Sequence, residues 1–75
     1  MRKINKYIEY ELNIFRNECN FSDEELIYFN YKAKGWSNIR ISTEMNASTA
    51  TITRLGKSVS SKMNKVIELH PDKLF

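Results

Sequence analysis

Between positions 49 and 57 the chain gathers Thr49, Ala50, Thr51, Thr53, Arg54 and Lys57. These are small, hydrogen-bonding and cationic side chains with no nucleophile–base pair among them. Their chemistry is recognition, not bond making. At ~100° per residue, Ala50, Thr53 and Lys57 share an outward helix face, flanked by Thr49 and Arg54. Ala and Thr let a backbone approach base edges, and a threonine methyl can meet a thymine methyl. Arg54 suits a guanine edge or a phosphate, and Lys57 a phosphate. Ser58, Lys62 and Lys65 continue toward a backbone further along the same segment. Residues 49–65 hold no acid, whereas Asp23, Glu24 and Glu25 cluster elsewhere. Positive charge is thus gathered where duplex phosphates could be met.

Other chemistries find little material. The chain has one cysteine, Cys19, and one histidine, His70, so neither an intrachain disulfide nor a cysteine-based zinc site is expected. Glu9 with Glu11, and Asp23 to Glu25, are carboxylates of helix surfaces or caps. No enzyme activity, metal or cofactor is expected. Cys19 reads as a half-buried apolar residue and His70 as a solvated residue of the tail. Trp36 is either exposed after Gly35 or packed on the apolar face. No apolar run approaches the roughly 20 residues of a membrane span, and no signal-peptide pattern opens the chain. A cytoplasmic protein without a membrane partner is expected. Abundant Asn, Lys and Ile point to an AT-rich bacterial or phage genome. With 75 residues, 41% of them hydrophobic, and a net charge of +3, the chain reads as one domain with a modest core.

The elements that must position these residues are helical. Only two Gly and one Pro interrupt the chain, and no run alternates as strands do. The expected fold is all-α, a small bundle of four or five helices. An amphipathic helix is predicted over 3–19, with Ile4, Ile8, Leu12 and Phe15 as its stripe and Glu9, Asn13 and Arg16 facing water. Ser22 and Glu25 form a capping box for the next helix, with Phe21 and Leu26 as its hydrophobic staple. That helix ends at Gly35. Its Leu26, Phe29, Ala33 face and its Ile27, Tyr28, Tyr31 face place it between the first helix and the helices C-terminal to it. Ser37 caps a short helix from Asn38 to Met45, which Asn46 stops in the left-handed region. Ser48 caps a longer helix with Ile52, Leu55, Val59, Met63 and Val66 inward. A polar tail over 67–75 is expected to end the chain.

A short helix, a tight turn and a longer capped helix make a helix-turn-helix, here within residues 21–66. The stretches Phe21-Ser22-Asp23-Glu24-Glu25, Gly35-Trp36-Ser37-Asn38-Ile39-Arg40-Ile41-Ser42, Ser48-Thr49-Ala50-Thr51-Ile52 and Val59-Ser60-Ser61-Lys62-Met63 resemble the LuxR/FixJ-type (GerE-like) DNA-binding domain. Sigma factor region four shares much of this pattern. Ser42 stands where the family prefers Ala, Met45 where it has Leu, Leu55 where His is frequent, and Ala50 where Lys is common. Specificity therefore does not transfer. The resemblance implies DNA contacts from Thr49, Thr51, Thr53, Arg54, Lys57 and Lys62, with Ser37 and Asn38 at the backbone.

The residues support two functional readings. The first is a stand-alone, sequence-specific transcriptional regulator, phage- or mobile-element-encoded, that binds double-stranded DNA as a homodimer. One half-site of a few base pairs gives a single unit little affinity. The N-terminal helix lies outside the resemblance and either completes the core or forms the dimer interface. The second is a sigma-region-four-like protein that binds RNA polymerase or another protein partner.

Overall fold

The computed structural model describes residues 1–74, and its helices begin where side chains can cap them. Among the described residues there are five α-helices and no strand. They are α1 (Glu9–Glu18), α2 (Asp23–Ala33), α3 (Asn38–Met45), α4 (Thr49–Leu69) and α5 (Pro71–Leu74), with a 3₁₀ turn at Ile4–Lys6. The Ser22 hydroxyl accepts from the Glu25 amide at 3.2 Å, while the Glu25 carboxylate accepts from the Ser22 amide at 2.8 Å. This is the expected capping box. Ser37 and Ser48 accept likewise from the amides of Arg40 and Thr51.

The helix ends are equally local. Gly35 has φ +86°, and the amides of Gly35 and Trp36 return to the carbonyls of Lys32 and Tyr31. Asn46 has φ 52°, with its own amide bonded to Thr43 and that of Ala47 to Ser42. Both are Schellman closures, which need a left-handed residue at this position.

The core joins Phe15 of α1, Phe29 of α2, Ile41 of α3 and Ile52, Val59 and Met63 of α4, all fully buried. Cys19 is buried with them. Helix α2 packs chiefly against α4 and the N-terminal turn. At Gly56 a Cβ would stand 2.8 Å from the Tyr28 hydroxyl, so the missing side chain permits this approach. Ile27, expected on an apolar face of α2, is instead exposed.

The N-terminal segment departs from the expected continuous helix. Tyr7 and Ile8 are extended, and α1 begins only at Glu9. Ile8, placed by periodicity in the stripe, is 65% exposed, and Tyr7 is buried instead. The Glu11 carboxylate accepts from the Ile8 amide at 3.0 Å and so caps a new helix start. Tyr7 stacks edge-on against Phe15 with centroids 5.0 Å apart, and its hydroxyl donates to the Leu74 carbonyl at 2.9 Å. A break of two extended residues shifts the phase of the pattern, which a single 3.6-residue period does not register. Arg16, expected in water, lies half-buried over α2, donating to Asn30 at 2.9 Å and to Glu9 at 2.7 Å.

The C-terminal end departs too. α4 runs to Leu69, Ile67 is buried, and α5 places Leu74 at zero exposure. His70, expected in water, pairs with Glu18 at 2.8 Å. Residues 67–74 thus belong to the fold, closing over Tyr7 and α1. Removing a fully buried leucine side chain typically costs about 2–5 kcal/mol. Leu74→Ala should therefore lose about 2–5 kcal/mol in urea denaturation, where a solvated tail would lose nothing measurable.

Candidate nucleic-acid interface

α3, the turn Asn46–Ala47–Ser48 and α4 have the connectivity of a helix-turn-helix. The turn is short because each end is closed by its own cap. Burial of Ile41 on α3 and Ile52 on α4 holds the two helices together. With Ile52, Val59, Met63 and Val66 inward, Thr49, Ala50, Thr53, Arg54 and Lys57 are all exposed. The hydroxyl of Thr53 donates to the Thr49 carbonyl at 3.0 Å. Its proton is thereby committed to the helix, leaving its methyl and lone pairs outward. No acid stands on α4 before Glu68.

The other residues singled out in the sequence sit differently. Thr51 is half-buried, its hydroxyl 3.0 Å from that of Ser48, and it serves the cap more than the outer face. Ser37 is exposed, with its oxygen engaged at the start of α3. Asn38 Oδ1 accepts from Lys32 Nζ at 3.4 Å. Lys62 is turned to α2, donating to Glu25 at 2.5 Å and to the Asn20 carbonyl at 3.2 Å. Its charge is largely met inside the fold.

Glu25 receives three donors, Lys62, the Ser58 hydroxyl and the Ser22 amide. Lys62 first, then Ser58 and Ser22, hold its carboxyl down at about 2, against 4.5 for an ordinary glutamate. The side chain is 8% exposed, so water competes little for it.

Around α4 the predicted residues divide between two grooves. Thr51 and Arg54 border one whose far wall holds Glu24 and Glu25. Asn38, Thr53 and Lys57 border another with Tyr28, Gly56 and Ser60, and no carboxylate. Just before α3, Trp36 stacks on Tyr31 at 4.3 Å and 5°, with the Arg40 guanidinium 3.7 Å from its centroid. Two groups so close occupy opposite faces, leaving no face for a base. This packing arises from the Schellman closure at Gly35, which sets Tyr31 and Trp36 against each other. Lys32 and Arg40 border this surface without having been singled out in the sequence. Their signal was weak, because cations on helix surfaces are ordinary.

No protein-family model matches the chain, and neither a curated protein nor a solved structure matches it. The LuxR-like resemblance therefore rests on its motif residues alone.

The depressed carboxyl of Glu25 has a consequence for stability. A carboxylate whose folded pKa lies below its unfolded value stabilises fully above the unfolded value, and that contribution is lost as pH falls through the folded one. Between pH 4.5 and about 2 the wild type should therefore lose stability that Glu25→Gln does not. At pH 7 the variant should be less stable by about 1.5–3 kcal/mol, the range for a hydrogen bond to a charged group. Thermal melts across pH should show the two curves converging toward pH 2, and parallel curves would contradict the role given to Glu25.

Proposed function

We propose that this chain is a sequence-specific DNA-binding transcriptional regulator that reads the major groove with α4. The observation that carries the reading is the exposed, acid-free face of Thr49, Ala50, Thr53, Arg54 and Lys57 on the second helix of a capped helix-turn-helix. A helix suits the major groove when one stripe anchors it and the opposite face is small and polar near its N-terminus. Ala50 and the threonines meet that demand. Arg54 and Lys57 provide the charge that draws the face to phosphate or guanine. Ser37 and Asn38, at the start of α3, flank it where a backbone would run. The LuxR-like motif residues between Phe21 and Met63 support the same reading.

With only Arg54 and Lys57 as cations on this face, a single unit has modest affinity, and we propose that the protein binds as a homodimer on paired half-sites. Sedimentation with a selected duplex should give two protomers per site. One protomer per site would remove the dimer from the proposal.

A second reading, binding to RNA polymerase, draws on one observation. Ile39 on α3 is 73% exposed and suits a protein partner better than a phosphate. Duplex binding separates the two. With an operator selected from random oligonucleotides, Lys57→Ala should weaken binding and make the slope of log K against log salt shallower by about 0.9 for each bound protomer. Arg54→Ala should also blur base preference by about 1–3 kcal/mol at one position if it reaches a base edge. Unchanged duplex binding in both variants, with helicity intact, favours the protein-partner reading.

A further inference from the structure

The grooves between the helices differ in charge. Those beside α2's N-terminus, between α1 and α2, and near α5 each include a carboxylate, namely Glu24 and Glu25, Glu9, and Glu68. The groove of Asn38, Thr53 and Lys57 includes none. Neither does a groove on the far side of Tyr28, whose wall holds Lys3, Asn5, Lys32 and Ser37. Both grooves include Tyr28 and Ser60, so they are neighbours. Lys32 bridges them, with its ammonium 3.4 Å from Asn38 Oδ1.

This second groove exists because the chain breaks before α1. The 3₁₀ turn lies along α2, and the residues before it form a wall against the start of α3. Lys3 is exposed there and Lys32 half-buried. Arg2 also lines the groove, but it pairs with Glu11 and lies over the Tyr7 ring, so it holds the wall in place. At the other side Ser37 caps α3, whose first amides carry partial positive charge. Cations, a helix start and amide or hydroxyl side chains, with no acid among them, make a surface for a polyanion.

Resting on the DNA-binding reading, we propose that this groove holds the duplex sugar–phosphate backbone flanking the bases read by α4. Lys3 and Lys32 are its phosphate contacts. The N-terminal segment is then part of the interface as well as of the core. The nearness of the groove to the exposed face of α4, through Tyr28, Ser60 and the Lys32–Asn38 bond, favours DNA over a separate acidic protein.

The test compares wild type, Lys57→Ala, Lys3→Ala and the double variant Lys3→Ala/Lys32→Ala on the selected duplex over a salt series. Each phosphate contact contributes about 0.9 to the salt slope, or roughly fivefold in affinity at 0.15 M salt. For each bound protomer the double variant should bind about 30-fold more weakly at that salt, with a slope shallower by about 1.8 and unchanged base preferences. Lys3→Ala removes an exposed side chain and should give half the slope change even if the double variant melts early. Hydroxyl-radical footprints should lose protection on one flank of each half-site. If both lysine variants match wild type while Lys57→Ala weakens binding, the groove proposal fails and the DNA reading stands. If wild type binds no duplex, both fail; lysine-dependent capture of RNA polymerase would then assign the groove to protein.

Discussion

A buried carboxylate on α2 ties the structure together. Glu25 closes the capping box that starts α2, then accepts from Ser58 and Lys62 on α4. One side chain thus fixes both where α2 begins and how α4 lies along it. Burying a charge is costly unless it is paired and hydrogen-bonded, and Glu25 has a cation, a hydroxyl and an amide as partners. Gly56 adds the steric half of the same constraint by letting Tyr28 approach α4. With α4 set against α2, its outward face is fixed as well, because a helix anchored on one stripe has no rotation left.

The same contact draws charge to one side. Glu24 and Glu25 border the groove of Arg54 and Thr51, and Lys62 is paired with Glu25. The opposite side of α4 keeps Lys57 and meets Lys32 and Lys3 across Tyr28. A net charge of +3 looks too small to signal a polyanion partner, but it is unevenly spread. Local potential, not net charge, determines where an anion is drawn.

The two chain ends close the other end of the bundle. Tyr7 donates to the Leu74 carbonyl, Leu74 enters the core, and His70 meets Glu18. A domain this small has little core to spare, and recruiting its terminal residues enlarges the buried apolar surface. The extended residues Tyr7 and Ile8 make that closure geometrically available.

The sequence by itself determined what depends on near neighbours. The caps at Ser22, Ser37 and Ser48, the stops at Gly35 and Asn46, and the buried face of α4 each need only residues a turn apart. The exposed set Thr49, Ala50, Thr53, Arg54 and Lys57 was legible for the same reason, since one helical period fixes it. Tertiary structure alone decided which of Tyr7 and Ile8 is buried and where Leu74 goes. It also decided that Lys62 serves Glu25, a residue far from it in sequence, and that Lys3 and Lys57 border neighbouring grooves. Each outcome depends on contacts across the chain, and a cation in a helical pattern carries no mark of the partner that folding brings to it.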